Sequence, residues 1–363
     1  MRGLAGRSVL SRDVVPLIDE AAARIYSLVR ETPLICMPEV RDVGGTATYR
    51  LGGHPDDPGD LCGPGDSGGP SAPRRAFAKL EQLQLTGSFK LRGATNKLMS
   101  LSAPAAAAGV IASSTGNHGL GVATAAKLLG IDAEVFVSAQ VATAKREKIR
   151  ECGARIRIVG ADPLAAEVAA RAAAVESGRT YVSPYNDAHV VAGQGTIAVE
   201  LLRQAPDLDA VFIATGGGGL LSGVGSYLRH RAPRVEIIGC WPESSPVLYE
   251  CLKAGRLLQV PESATLSEST AGGIEEGSIT FELCREVMHR GVLVSEAQIL
   301  RAMRWAHAQG WAMEGASGVA LAAYFKESAR YAGKQAVVLL CGGNPSPAVA
   351  ALLPPITDST PGV

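Results

Sequence analysis

A lysine ε-amine attacks an aldehyde to form a Schiff base only in its neutral form. The surroundings of Lys90 favour that form. Lys79-Leu80-Glu81 reads as a strand end and Thr86-Gly87-Ser88 as a turn, with Ser88 placed as a helix N-cap. From Phe89 onward Leu91, Ala94, Leu98 and Leu101 recur at helical spacing. Lys90 therefore falls in a first helical turn, where the helix dipole opposes a cation. A lone lysine at a helix start is ordinarily a solvated surface residue, so its significance depends on what else the chain brings to it.

Four other stretches carry residue types that could line a site for a small ligand, the first two for an anion. Ser113-Ser114-Thr115-Gly116-Asn117-His118-Gly119 follows a strand and opens a helix, so free N–H groups are available to a carboxylate. A plain capping loop would read the same way. Gly216-Gly217-Gly218-Gly219-Leu220 joins the apolar strand Val211–Ala214 to a helix, and successive glycines let their N–H groups converge on an anion. Leu221 and Ser222 break the dinucleotide spacing Gly-x-Gly-x-x-Gly, and no Gly-Lys-Ser/Thr follows, so nucleotide readings are weak. Cys341-Gly342-Gly343-Asn344 ends the last apolar strand, and a thiol with an ordinary pKa of about 8.5 is protonated at neutral pH. A buried structural cysteine is its bland alternative. Glu314-Gly315-Ala316-Ser317-Gly318 reads as a helix start, with Glu314 a supporting residue or merely an exposed cap.

The elements that must position these residues alternate. Strands are expected at 109–113, 133–137, 155–159, 180–182, 210–214, 235–240 and 336–340. Helices are expected at 14–30, 118–129, 144–152, 164–177, 194–203, 220–231 and 246–254, and Ser295-x-x-Gln298 reads as a capping box. This βα rhythm argues for an α/β fold with parallel twisted sheets flanked by helices. Residues 1–13 read as a loose tail, and 43–76, rich in Gly, Pro, Asp and Ser, as a flexible insertion.

Composition excludes several classes. The 363 residues carry 35 Lys+Arg and 35 Asp+Glu, and this balance gives no footprint for nucleic acid or an anionic membrane. No apolar run approaches a membrane span and no secretion signal is evident, so a cytoplasmic protein is expected. The seven cysteines show no metal or redox spacing, and reduced thiols are expected.

Lys-x-Glu at 79–81 followed by Thr-Gly-Ser-Phe-Lys-x-Arg-Gly-Ala at 86–94 resembles the active-site segment of fold-type II pyridoxal-phosphate (PLP) enzymes, the serine/threonine dehydratase group. The resemblance extends over residues 79–344 through the loops just described. It implies two α/β domains, a large one of 1–99 and 188–363 and a small one of 100–187. By the same match Lys90 joins PLP covalently, Phe89, Asn117, Gly216, Gly217, Gly218, Gly219, Leu220 and Cys341 bind the cofactor, and Ser114, Thr115, Gly116, Asn117 and His118 hold the substrate, His118 in a structural capacity. The implied activity is ammonia release from a β-hydroxy-α-amino acid by β-elimination. Racemisation, β-replacement and a catalytically silent ligand-binding relative are the alternatives, and Thr115, where serine racemases carry Ser, weakens the first. Residues 239–256 and 270–274 look most like a subgroup associated with hydroxyectoine utilisation. Trp241 stands where several relatives place a glutamate metal ligand, so no metal is expected. The residues after Cys341 are too few for the regulatory domain of allosteric threonine deaminases. A small amino-acid substrate and a homodimer or larger homo-oligomer complete the expectation.

Overall fold

The computed structural model describes residues 9–38, 40–41, 48–49, 75–114, 116–139, 143–161 and 163–354. In chain order come α1 (Ser11–Ile25), β1 (Leu34–Cys36), β2 (Val40–Arg41), β3 (Thr48–Tyr49), β4 (Arg75–Leu80) and α2 (Lys90–Met99). Next are α3 (Ala103–Ala108), β5 (Val110–Ser113), α4 (Asn117–Leu129), β6 (Ala133–Val137), α5 (Thr143–Glu151), β7 (Arg155–Ile158), α6 (Pro163–Ser177) and β8 (Thr180–Tyr181). The rest is α7 (Ala188–Gln204), β9 (Ala210–Ala214), α8 (Gly219–Arg231), β10 (Glu236–Pro242), α9 (Val247–Ala254), α10 (Ile279–Val287), β11 (Arg290–Val294), α11 (Glu296–Ala308), α12 (Gly315–Glu327), β12 (Gln335–Leu340) and α13 (Pro347–Ala350).

The strands form a six-stranded sheet, β1-β4-β12-β9-β10-β11, a four-stranded sheet, β7-β6-β5-β8, and the small pair β2-β3. Within the two larger sheets the described neighbours are parallel except β1 against β4, and β2 pairs β3 antiparallel. Every residue of β6 and of β9 is buried, as a parallel sheet covered by helices on both faces requires. Because β4, β12 and β9 lie side by side, their carboxyl ends place the turn before Lys90, the loop from Cys341 and the tetraglycine loop in one row. Ligands bind at such strand ends in parallel sheets. The smaller sheet, built wholly from residues 110–181, contributes the loop after β5.

The strands at 110–113, 133–137 and 210–214 lie where hydrophobic pattern put them, and Ser295 forms the expected capping box with Gln298. Other expectations need correction. Helix α1 starts at Ser11 and ends at Ile25, earlier at both ends than 14–30. Helix α7 begins at Ala188, six residues before the expected 194. Gly193 is required there because a Cβ would lie 2.6 Å from the Arg92 carbonyl oxygen, where α7 crosses α2. The 43–76 segment gives way to strand at Arg75, and apart from β3 the remainder lies outside the described residues. Cys152, Cys240, Cys251, Cys284 and Cys341 are free thiols, whereas Cys36 is disulfide-bonded.

The Lys-x-Glu and Arg of the lysine segment turn out to be framework. The fully buried Arg92 donates from Nε and Nη2 to the two oxygens of Glu81 (both 2.8 Å) and from Nη1 to Glu200 of α7 (2.5 Å). Lys79 completes the set, with Nζ 2.5 Å from Glu200 Oε2. Two cations and two carboxylates thus balance with no solvent contact. Burial alone would raise the Glu200 carboxyl, and the charges of Arg92 and Lys79 overcome it and hold it below the usual range. Thr32 Oγ1 on Glu81 and Tyr26 OH on Glu200 fill further lone pairs. The set joins β4, α2 and α7, while Leu91, Ala94 and Leu98 on the other face of α2 pack with Val110 and Val135 of the smaller sheet.

Replacing Glu200 by Gln leaves two buried cations facing one carboxylate. Urea unfolding should show a loss of about 3–5 kcal/mol, the ordinary cost of stranding a buried charge. A loss below about 1 kcal/mol, typical of an exposed pair, would mean that α2 is anchored elsewhere.

Candidate active site

Backbone pairing brings residues far apart in sequence together. The Phe89 N–H donates to the Cys341 carbonyl (3.0 Å), Ser88 bridges Gly342 in antiparallel fashion, and the Gly343 N–H donates to the Gly87 carbonyl (2.9 Å). The lysine turn is thereby stitched to the loop after β12. This also corrects the capping expectation. Phe89, in helical conformation, precedes α2 as its cap, and the buried Ser88 hydroxyl has no hydrogen-bond partner among the described residues.

These elements enclose a cavity of about 590 Å³. Its wall includes Phe89, Lys90, Ser114, Gly116, Asn117, His118, the four glycines with Leu220, and Glu314 and Cys341. The structure therefore gathers every expected site residue except Thr115, which lies outside the described residues. Tyr185, Ser269 and Asn344 also line it and were not singled out from sequence. Asn344 stood at the end of the Cys341 stretch already quoted, whereas Tyr185 lies in the segment between β8 and α7. No residue-type signal marks Ser269, which reaches the wall through a loop.

Lys90 opens α2 as expected, and its Nζ donates to the Pro184 carbonyl at 2.9 Å. Protein surrounds the amine and only the cavity exposes it, so burial lowers its pKa to about 8 against weaker opposing pulls from Cys341 and Glu314. Burial pushes the Cys341 thiol up, assisted by Glu314, so it is neutral. Glu314 is the buried N-cap residue of α12, not an exposed one. Burial raises its carboxyl, while hydrogen bonds from Asn117 Nδ2 (2.7 Å) and Ser269 Oγ (3.0 Å) restrain the rise. His118 is held at about 3 by burial and by the Lys90 charge, and its Nε2 donates to the Val182 carbonyl (2.8 Å). Its ring is therefore structural, and what it offers a ligand is a first-turn N–H.

The tetraglycine loop leads into α8, whose N-cap is Gly218 at φ +84°. The N–H groups of Gly216 to Gly219 make no hydrogen bond to a described protein group. Unpaired donors at a helix N-terminus form an anion site. The Tyr185 ring lies against this loop, since a Cβ on Gly217 would sit 2.5 Å from it, and the Tyr185 hydroxyl accepts from the Glu275 N–H (3.1 Å). At α4, Gly116 is the N-cap residue and its N–H donates to Ser114 Oγ (3.2 Å).

The model of the family described as pyridoxal-phosphate dependent enzyme matches residues 68–342. The chain belongs to that family. It is 37% identical over 269 residues to the L-threonine ammonia-lyase of Thermotoga maritima, covering 74% of this chain and 67% of that one. The solved processed form of threonine deaminase isoform 2 from Solanum lycopersicum has a TM-score of 0.79 at 26% identity, covering 95% of this chain and 96% of its own. Maize serine racemase reaches 0.78 at 25% identity, covering 93% and 95%. The protein is thus a PLP-dependent enzyme with the two-sheet fold-type II architecture.

The site's own chemistry fits the cofactor. It pairs an easily deprotonated amine for the aldehyde with a row of unspent N–H groups for the phosphate, inside a cavity of ordinary ligand size. Among the described residues no group of His, Cys, Asp and Glu is arranged to hold a metal, and no helix is long and apolar enough to cross a membrane.

Because the Lys90 pKa is lowered, its neutral amine is present above about 8. Capture of PLP by the stripped protein, trapped with borohydride, should accelerate as pH rises through about 8 and then level. Acceleration continuing toward about 10.4, the ordinary lysine value, would indicate a solvated amine. Gly217→Ala should force the Tyr185 ring away and weaken PLP affinity by about tenfold, or 1.4 kcal/mol, in a fluorescence titration. Unchanged affinity would place the phosphate elsewhere.

Proposed function

We propose that the protein is a PLP-dependent ammonia-lyase converting a β-hydroxy-α-amino acid of the threonine or serine type to a 2-keto acid and ammonia. The observation that carries this reading is the desolvated Lys90 amine opening into the same cavity as the tetraglycine loop. The sequence relatives named ammonia-lyase support the choice among reactions that this fold hosts.

Bound PLP would supply an electron sink for charge released at the substrate α-carbon. Lys90 would hold the cofactor aldehyde and, with its amine free, take the α-proton at Nζ. A base with a pKa near 8 suits that work near neutral pH. The N–H groups of Gly216 to Gly219, with Leu220 at the start of α8, would hold the phosphate. Phe89 would flank the ring, Asn117 would face its 3-oxygen, and the Cys341 thiol its nitrogen. A neutral thiol keeps no proton on that nitrogen, which makes the sink weaker and favours elimination over transamination. Ser114, Thr115 and the first-turn N–H groups of Gly116, Asn117 and His118 would grip the substrate carboxylate. Over the whole reaction water is lost across Cα–Cβ, then water adds to the released enamine and ammonia departs. Because the smaller sheet comes wholly from within residues 100–187, we take that segment as the small domain, inserted between 1–99 and 188–363.

With L-threonine the purified enzyme should release 2-oxobutanoate and ammonia in equal amounts, and with L-serine pyruvate. Lys90→Ala should reduce turnover by about a thousandfold or more. A coupled keto-acid assay over β-hydroxy amino acids, including phenylserine and hydroxyaspartate, ranks the substrates. Inversion of serine without keto acid would replace the lyase by a racemase. A colourless protein lacking borohydride-sensitive absorbance would replace it by a ligand-binding relative.

A further inference from the structure

The lyase reading gives Glu314 no step, yet its carboxylate is buried in the cavity wall. It accepts from Asn117 Nδ2 at 2.7 Å and from Ser269 Oγ at 3.0 Å. The amide of Asn117 is gripped from its other end as well. Its Oδ1 accepts from Asn344 Nδ2 at 2.8 Å, and Asn344 Nδ2 also donates to the Thr86 carbonyl at 2.8 Å.

A carboxamide has two ends of nearly equal shape and opposite hydrogen-bonding character. Turned over, Asn117 would set its oxygen against the Glu314 carboxylate and its NH₂ against the NH₂ of Asn344. Both contacts repel, so one orientation survives. In it one Nδ2 hydrogen is used by Glu314, and the other remains for the cavity that Asn117 lines. The chain of bonds begins at Thr86, in the turn that leads to Lys90, so the amide and the lysine are indexed to the same backbone.

We propose that Glu314 is a positioning residue, which holds the Asn117 amide so that it offers the cofactor ring an N–H donor and not a carbonyl. This rests on the cofactor reading of Asn117 above. Ser269 and Asn344 act through the same carboxylate and amide. The role differs from general support of α12, because it runs through a single side chain and disappears when that side chain is removed.

A double-mutant cycle tests it. Protein stripped with hydroxylamine is titrated with PLP, without substrate, for the wild type, Glu314→Ala, Asn117→Ala and the double variant. Glu314→Ala alone should weaken PLP affinity roughly tenfold to a hundredfold, in the range of a lost charge-assisted hydrogen bond. In the Asn117→Ala background the same change should cost less than about twofold. Glu314→Gln, which keeps an acceptor oxygen, should restore most of the affinity. Equal losses in both backgrounds, or no loss in either, overturns the proposal. Should Glu314→Ala not fold, Glu314→Asp enters the same cycle. Keto-acid release is not part of this readout. Coupling without turnover of any β-hydroxy amino acid sinks the lyase reading alone, and turnover without coupling sinks only the Glu314 assignment.

Discussion

A guanidinium with no access to water must be paired, and Arg92 pairs with carboxylates from two other elements, Glu81 after β4 and Glu200 in α7. Buried ion pairs of this kind add little net stability, because desolvation offsets their attraction. Their geometry is nonetheless demanding, since the planar fork accepts few arrangements. Lys90 is in the same helical turn as Arg92. Fixing Arg92 against β4 and α7 therefore fixes where the lysine amine emerges, and Gly193 removes the side chain that would keep α7 at a distance.

Around that amine the cavity keeps charge of opposite sign apart. Lys90 is desolvated and inclined to be neutral, Cys341 is neutral, and the tetraglycine loop offers unpaired backbone N–H groups at the positive end of the α8 dipole. Glu314 stands behind Asn117, engaged by Asn117 and Ser269. The site can then take up a cofactor carrying its own charge without leaving a buried ion unmatched.

Much of this was legible in the chain. The strands at 133–137 and 210–214 are apolar throughout because parallel strands are covered on both faces, and a short apolar run bounded by turns carries that information locally. The tetraglycine loop was legible for a similar reason, as a nest needs residues without side chains between a strand and a helix. The reading failed where a local rule met a distant partner. Ser88 has an N-cap side chain, but its backbone is paired with Gly342, so the helix begins without it. Helix α7 was expected to begin at 194 and begins at Ala188, which places Gly193 within it at the crossing with α2.

Sequence by itself determined the class of fold, the lysine and the glycine loop, because each is encoded by neighbours within a few residues. Only the tertiary structure decided that Lys79, Glu81 and Arg92 form a buried framework with Glu200, although they belong to the same short motif as Lys90. Only it decided that Glu314 faces Asn117 and that Asn344 closes the chain back to Thr86. Those roles depend on which strands are neighbours in a parallel sheet. The order β4-β12-β9 brings together residues separated by more than a hundred positions, and no local pattern in the chain records that order.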